Sequence, residues 1–253
     1  MTRTASTAPR LHVPDALGAA AEVPLAPAQA HYLRDVMRLN PGDAVRLFNG
    51  RDGAWLAEIA TLGKGKGTLR CTAAIAPQRP EPEIWLLFAP LKSARQDMLV
   101  EKAVELGVSV LQPVLTERTQ TRRVNPERLL AQAIEAAEQC ERLTLPEVRP
   151  LAELFDLLAG WPAGRTLFYG DESGGGTPAL VAFSAPATAG GDALLVGPEG
   201  GFSPRELDVL RAASFSLGVG FGPRILRAET AALTGLSLWQ AARGDGGLAP
   251  DCR

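Results

Sequence analysis

A change in the pattern of apolar residues, at a proline-rich segment near residue 80, constrains the fold of this chain more than any other feature. Residues 77–82 hold three prolines and predict a linker. Short strands separated by glycine-rich turns precede it, whereas strands alternating with helices follow it. We therefore expect a small β-rich domain over residues 1–76, an α/β domain over residues 83–245 and a tail over residues 246–253.

The first domain has the pattern of a small β-barrel. Strands are predicted over residues 43–48, 54–61 and 68–75, with turns at 49–53 and 63–67. A helix is predicted from Ala28 to Leu39, because Pro27 suits its first position and Asn40-Pro41-Gly42 ends it.

The second domain has the pattern of a mainly parallel sheet with helices on both faces. Strands are predicted over residues 84–89, 108–115, 166–170, 192–197 and 214–219. The helix from Ser93 to Leu106 is predicted to start with a capping box of Ser93 and Gln96. The helix after Asn125-Pro126 is predicted to bury one face, made of Leu130, Ala133, Ile134, Ala137 and Cys140. Further helices are predicted over residues 204–213 and 228–243, and residues 171–178 are predicted to be a mobile glycine-rich loop.

Composition excludes several classes of function. The apolar runs are far shorter than the roughly 20 residues of a membrane helix, and no apolar stretch follows the N-terminal arginines, so we expect a cytoplasmic protein. Three cysteines without a CxxC pair and two histidines offer neither a zinc site nor histidine-based catalysis, and we expect no metal.

Charge is distributed unevenly along the chain. The formal net charge is −2, but residues 1–80 hold ten Lys/Arg against six Asp/Glu, a net charge of +4, which leaves −6 for the remainder. A basic N-terminal domain is compatible with a nucleic-acid partner.

The segment LLVGPEGGFSPREL, residues 194–207, is the strongest functional signal. A buried strand ends in Gly197-Pro198-Glu199-Gly200-Gly201, and a helix starts behind it with Ser203 as cap and Glu206 completing a capping box. Ligands of α/β sheets bind beyond the carboxyl ends of the strands, where glycines permit close backbone contact. The spacing fits neither a Rossmann nor a P-loop motif, so the ligand need not be a polyphosphate.

The segment GFGPRILRAET, residues 220–230, is the second signal. Arg224, Arg227 and Glu229 lie in a loop that again follows a strand. Arginines suit a phosphate or the carbonyl oxygens of a base, and the carboxylate could orient them or accept a proton.

Further basic residues lie in connecting segments or on a predicted helix and are candidate RNA contacts. They are Arg34 and Arg38, at i, i+4 spacing, Lys92 and Arg95, and Arg118, Arg122 and Arg123.

Six segments together resemble the bacterial 16S ribosomal RNA uridine-N3-methyltransferase family of the SPOUT class. They are PRLHV (9–13), HYLRDVMRLNPGD (31–43), KSARQDMLVEKAVELGV (92–108), EAAEQCERLTLPEV (135–148), GPEGGFSPREL (197–207) and FGPRILRAETA (221–231). The chain departs from that pattern at Phe221, where Leu is usual, and at Glu141, where Gly is common.

The resemblance implies an N-terminal PUA-like barrel that binds RNA, a C-terminal α/β domain with a deep trefoil knot, and a homodimer. It implies S-adenosylmethionine as cofactor and 16S rRNA or the assembled small subunit as partner. The implied cofactor residues are Gly197, Pro198, Glu199, Gly200, Gly201, Phe221, Gly222, Ile225, Leu226 and Thr230, near the end of the strand at Phe168–Gly170. Arg227 and Glu229, together with Arg224, are the implied and chemically suited catalytic residues, for charge stabilisation and proton removal.

Two alternatives remain open on the sequence. An enzyme of the same class could methylate a ribose 2′-hydroxyl of transfer or ribosomal RNA. A non-catalytic RNA-binding or ribosome-assembly factor is the other, although it would have little physical reason for two such glycine-rich segments.

Overall fold

The computed structural model describes residues 7–248, which form two compact units. The N-terminal unit combines residues 7–80 with residues 137–145, and the second unit contains residues 81–136 and 146–248. Residues 249–253, most of the predicted tail, lie outside the described part of the chain.

The N-terminal unit contains a five-stranded sheet in the order β1-β3-β4-β5-β2. Its strands are β1 (Arg10–His12), β2 (Glu22–Pro24), β3 (Ala44–Phe48), β4 (Ala54–Gly63) and β5 (Lys66–Ala76). The predicted meander is confirmed, because β3 pairs antiparallel with β4 and β4 with β5. One apolar cluster, which includes Val13, Val45, Leu47, Ile59 and Leu69, forms the core of this unit.

The helix predicted over residues 28–39 is shorter than expected and changes from an α-helix to a π-helix. Helix α1 covers Pro27–His31, and a π-helical segment follows over Tyr32–Val36. Arg38 lies beyond both in the left-handed region, with φ of +56°. The predicted i, i+4 helical pair of Arg34 and Arg38 is therefore wrong: Arg34 donates two hydrogen bonds to Asp35.

Residues 137–145 pack with the N-terminal strands because buried Arg10 binds their carbonyl groups. Its guanidinium donates to the carbonyl oxygens of Ala137 and Arg142, both at 2.9 Å. Removal from water lowers the pKa of Arg10 to about 10. Glu141 has a φ of +66°, a region that favours glycine, and its carboxylate pairs with Arg46 at 3.1 Å. This conformation gives a physical reason for the Gly expected at this position.

The second unit contains a parallel sheet of eight strands. They are β6 (Ile84–Phe88), β7 (Val110–Leu115), β8 (Glu147–Val148), β9 (Ala152–Glu153), β10 (Thr166–Gly170), β11 (Thr177–Pro178), β12 (Asp192–Val196) and β13 (Ser216–Gly220). The order is β11-β13-β10-β12-β6-β7-β8, with β9 paired to β7. This arrangement confirms the predicted mainly parallel α/β fold.

Six helices of the described chain accompany this sheet. They are α2 (Ser93–Glu105), α3 (Pro126–Cys140), α4 (Leu154–Ala159), α5 (Ala179–Phe183), α6 (Pro204–Ala212) and α7 (Ala228–Ala242). Two details of the predictions are wrong. Ser93 does not cap α2, whose N-cap is Lys92 without a side-chain hydrogen bond, and Leu130 of α3 is 41% exposed, whereas Leu129 is buried.

The C-terminal end of α7 is anchored to the sheet by a buried ion pair. Arg243 binds Asp192 of β12 at 2.8 Å, and the indole of Trp239 donates to the same carboxylate at 2.7 Å. Because both ions of the pair are almost fully buried, loss of either partner would leave an uncompensated charge. This anchor fixes the helix whose first turn carries Glu229.

Within residues 7–248, no helix combines the length and the apolar character needed to cross a bilayer. The same residues contain no group of three or more histidine, cysteine or acidic side chains placed to hold a metal ion.

Candidate active site

A cavity of about 400 Å³ lies beyond the carboxyl ends of three neighbouring parallel strands, β10, β12 and β13. Three segments line it, within residues 170–178, 196–202 and 219–231. Both functional segments predicted from the sequence therefore meet at one edge of the sheet, as the rule for α/β ligand sites requires. The volume falls in the range of small-molecule sites.

The GPEGG segment forms one wall of the cavity. Gly197, Pro198, Glu199 and Gly201 line it, whereas Gly200 does not. A Cβ atom at Gly197 would lie 3.1 Å from the ring of Phe202, and Gly201 has a φ of +65°. These two positions require glycine for packing and for backbone conformation respectively.

Glu206 holds this wall in place. The predicted capping box is confirmed: Ser203 Oγ accepts from the Glu206 amide, and the Glu206 carboxylate accepts from the Ser203 amide at 2.7 Å. The other carboxylate oxygen accepts from the amide of Glu117 at 2.8 Å. Arg118 adds a second tie, donating to the carbonyl oxygen of Gly200 at 2.8 Å.

The segment after β13 forms the opposite wall. Phe221, Gly222, Ile225 and Leu226 line the cavity together with Arg224. The Phe221 ring packs where glycines leave room, since a Cβ atom would approach it to 3.3 Å at Gly170 and 3.0 Å at Gly235. The larger side chain found here in place of Leu is thus accommodated by the backbone around it.

Two arginines of this segment have no partner. Arg224 and Arg227 are exposed, and neither makes an ion pair or a side-chain hydrogen bond within the described chain. Arg227 is the N-cap of α7, and Thr230 is exposed in the first turn without lining the cavity. Both guanidinium groups are available to a ligand with negative or carbonyl oxygens.

Glu229 is buried at the start of α7, between Ala228 and Ala231, which both line the cavity. Its Oε1 lies 3.7 Å from Nε of Arg95, while its Oε2 is buried without a hydrogen-bond partner in the described chain. Four other buried side-chain atoms of the described chain also lack a partner, so it is the position of Glu229 beside the cavity that makes this acceptor a candidate for function.

The structure adds residues that the sequence reasoning missed. Residues 171–178, predicted only as a mobile loop, include the short strand β11, which pairs with β13, and contribute Asp171, Glu172, Gly174, Gly176 and Pro178 to the cavity. The signal that could have found them is their position directly after β10, the same rule that identified the other two segments.

The candidate RNA contacts differ in how freely they are exposed. Arg38, Lys92 and Arg123 are exposed, and no side-chain partner of theirs lies in the described chain. Arg122 lies 3.7 Å from Glu153 and is 60% exposed. Arg34, Arg95 and Arg118 are engaged with partners of their own chain.

Comparison with known proteins identifies the class. Residues 78–240 match the family of RNA methyltransferase domains, and residues 25–70 match the PUA domain of RNA methyltransferases. The fold and the site thus define an RNA methyltransferase with a PUA-like domain.

Similar proteins identify the family more closely. The ribosomal RNA small subunit methyltransferase E of Rickettsia conorii is 33% identical over 207 residues, which cover 82% of this chain and 84% of that protein. The protein of the same name from Synechocystis is 33% identical over 86% of this chain and 72% of its own length.

Solved structures agree. The ribosomal RNA small subunit methyltransferase E of Neisseria gonorrhoeae, bound to S-adenosyl methionine, has a TM-score of 0.85 and 27% identity and covers 94% of this chain and 99% of its own. A Legionella pneumophila protein in complex with the cofactor SAM has a TM-score of 0.84 and 30% identity, with the same coverage. The chain belongs to the family of ribosomal RNA small subunit methyltransferases E. The predicted family and enzyme class are confirmed.

Proposed function

We propose that this protein methylates the N3 atom of a uridine in 16S ribosomal RNA of the small subunit, with S-adenosylmethionine as methyl donor. The observation that carries the proposal is the cavity at the ends of β10, β12 and β13, which Arg224 lines. Arg227 and the buried Glu229 lie next to it at the start of α7, although neither of them lines it. The bound donor of the Neisseria relative and the names of the relatives support it.

The residues of the cavity fit this donor. Phe202, Phe221 and Leu226 provide apolar surface for a planar base, and the glycines leave backbone groups accessible. The carboxylates of Glu172 and Glu199 suit a ligand with an ammonium and a sulfonium charge. We propose as cofactor residues those of the predicted set that line the cavity, namely Gly197, Pro198, Glu199, Gly201, Phe221, Gly222, Ile225 and Leu226.

The bound donor supplies an electrophilic methyl group on a sulfonium. The N3 atom of uracil is neutral at physiological pH, so it must lose its proton as it attacks. We assign the proton to the Glu229 carboxylate through a water molecule, because its Oε2 is buried and Glu229 itself does not line the cavity. Arg227 and Arg224 stabilise the negative charge that develops on the flanking carbonyl oxygens. In-line transfer would require the walls to hold the reacting atoms of donor and base about 3–3.5 Å apart.

The two units take different roles in this proposal. Residues 1–76, the predicted RNA-binding domain, and the basic residues Arg34, Arg38, Lys92, Arg118, Arg122 and Arg123 hold the RNA while the base leaves its stack. Residues 83–245 carry the chemistry. The enzyme works in the cytoplasm, where ribosomal subunits are assembled.

We also infer a homodimer. Ile225 lines the cavity yet is 86% exposed, more than any other large apolar side chain of residues 7–248. A second copy that covers Ile225 would complete the wall of the site. Light scattering of the purified protein tests this, and an Ile225→Glu variant that stays dimeric would contradict it.

We infer a deep trefoil knot as well, in support of which α7, after the 220–227 segment, returns to pack on β12 and α2. Mechanical stretching from both ends tests the topology. A knotted chain gives a contour length shorter than that of 253 extended residues.

The test of function is methylation of small ribosomal subunits from a strain that lacks this enzyme, followed by mass analysis of the nucleosides. We expect 3-methyluridine at one position. A ribose-methylated nucleoside would indicate the 2′-O-methyltransferase alternative, and failure to bind S-adenosylmethionine in calorimetry would indicate a non-catalytic assembly factor.

The role of Arg227 gives the first specific prediction. We expect Arg227→Ala to lower the single-turnover rate by about 10²- to 10³-fold at saturating donor and RNA, since a charge-stabilising donor is lost. Arg227→Lys keeps the charge but lacks the planar guanidinium, so its single-turnover rate should lie between those of the wild type and Arg227→Ala. Unchanged donor affinity in calorimetry serves as the control for folding. A near wild-type rate in Arg227→Ala would contradict the assignment.

A further inference from the structure

Arg95 lies between two carboxylates that come from different walls of the site. Its Nη1 is 3.2 Å from Oε1 of Glu199, in the GPEGG segment, and its Nε is 3.7 Å from Oε1 of Glu229, in the first turn of α7. Arg95 itself belongs to the first turn of α2. One guanidinium therefore connects three separate segments of the second unit.

The burial of Glu229 makes this contact important. Its side chain is 7% exposed, and Arg95 is the one cation of the described chain within 4.0 Å of it. A buried carboxylate without a compensating charge is strongly unfavourable, and Arg95 places a positive charge beside Glu229. Because Arg95 contacts Oε1, the Oε2 atom stays free.

We propose that Arg95 is a positioning residue for methyl transfer, which orients the Glu229 carboxylate to accept the N3 proton through a water molecule and connects it to the GPEGG segment through Glu199. The inference rests on the proposed function. In the reaction, the N3–C bond forms as the S–C bond breaks, the electron pair of the latter stays on sulfur, and the N3 proton passes to the Glu229 carboxylate.

The geometry favours this role over the direct RNA contact predicted from the sequence. The group of Arg95, Glu199 and Glu229 has a formal charge of −1, which repels a phosphate. Lys92, one turn earlier and without such partners, is the better phosphate ligand of this helix.

The experiment compares Arg95→Ala and Arg95→Lys of the full chain with the control Lys102→Gln. Lys102 is a basic residue of the same helix, paired with Glu101 and Glu105. Single-turnover rates are measured against RNA concentration at saturating donor. We expect Arg95→Ala to lower the rate at saturating RNA by about 10- to 100-fold, with RNA KM changed by less than about 3-fold. Arg95→Lys should recover most of the rate, and Lys102→Gln should match wild type.

Coupling to Glu229 is tested in the same assay. Since Arg95 acts through Glu229, adding Arg95→Ala to Glu229→Gln should lower the rate no further than Glu229→Gln alone. A raised RNA KM with an unchanged saturated rate would overturn the proposal and make Arg95 an RNA contact. A wild-type protein that binds no donor or transfers no methyl group would instead refute the proposed function.

Discussion

Glu172 is the cavity residue with the clearest consequence for ligand choice. Its carboxylate packs against Gly201, so closely that any side chain at Gly201 would collide with Oε1. Glu172 has no ion-pair partner in the described chain, and with Glu199 it makes the cavity acidic on one side. The donor carries a sulfonium charge that the product S-adenosylhomocysteine lacks, so an acidic wall favours release of the product.

We therefore predict that Glu172→Gln weakens binding of S-adenosylmethionine more than binding of S-adenosylhomocysteine. We expect the ratio of the affinities for S-adenosylmethionine and S-adenosylhomocysteine to fall about 5-fold, since partly exposed charge pairs contribute up to about 1 kcal/mol. Calorimetry with both ligands measures it, with Glu101→Gln on α2 as the matched control outside the cavity. An equal loss of affinity for both ligands would show that Glu172 does not interact with the sulfonium charge.

At the scale of single residues, the sequence predicts which residue types gather but not how they pair. The order of the strands brings Glu199, Arg224 and Glu229 to one edge, and this is readable from motif position. The contact of Arg95 with Glu229, 134 residues away along the chain, depends on side-chain geometry that spacing does not contain. Glu172 escaped notice because its glycine-rich surroundings indicated only a turn.

The turn between β3 and β4 shows how a single element is stabilised by a carboxylate. Asp52 accepts hydrogen bonds from the amide of Leu17 at 2.8 Å and from the side chain of Asn49 at 2.7 Å. These bonds favour the ionised form and lower the pKa of Asp52. The turn is thereby tied to the segment that leads to β2.

This shift predicts a pH dependence of stability. Because the pKa of Asp52 is lower in the folded state, Asp52 contributes to the free energy of unfolding. This contribution is complete above the pKa of the unfolded state, about 4, and disappears as pH falls through the pKa of the folded state. We expect Asp52→Asn to lower the melting temperature clearly at pH 7 and to differ less from wild type near pH 3. Glu22→Gln, a substitution on exposed β2, is the control. A difference independent of pH would refute the linkage.

At the scale of elements, the periodicity of the sequence predicts where strands and helices lie, but it does not predict the type of helix. The strands and long helices of the second unit agree with the prediction within a few residues. The π-helical segment after α1 was missed, because it shares its apolar spacing with an ordinary helix over so short a run. The buried face of α3 was displaced by one residue, from Leu130 to Leu129, since neighbouring leucines both fit the helical period.

Charge acts at the scale of the whole molecule. A protein of net charge −2 that binds RNA must do so through local basic patches, so its salt dependence reflects a few arginines. Arg122 and Arg123 are two adjacent candidates: no side-chain partner of Arg123 lies within residues 7–248, and Arg122 has only a 3.7 Å contact with Glu153.

We predict that Arg122→Ala and Arg123→Ala each reduce the slope of log Kd against log salt by about 0.7, the value for one phosphate contact on single-stranded RNA. Fluorescence anisotropy with a labelled fragment of 16S RNA measures the slope. Arg205→Ala, a substitution of an exposed arginine of α6, should leave it unchanged. Equal slopes for all three variants would contradict the predicted RNA contact.

The division into two units was predictable from the prolines, but its discontinuity was not. The sequence places the end of the β-rich domain at residue 76, whereas residues 137–145 also cluster with the N-terminal strands. Nothing in their helical pattern indicates this, because the contacts are those of Arg10 with backbone carbonyls, of Arg46 with Glu141 and of the His12 amide with Glu138.

The binding of residues 137–145 by Arg10 also sets the order of events during synthesis on the ribosome. The N-terminal strands emerge first, but Arg10 does not have all of its carbonyl partners until residue 142 has left the ribosomal exit tunnel. Until then the Arg10 guanidinium remains hydrated, because the free-energy cost of burying it is not yet offset by all of these hydrogen bonds. The first unit to be translated is therefore completed only after much of the second has been made.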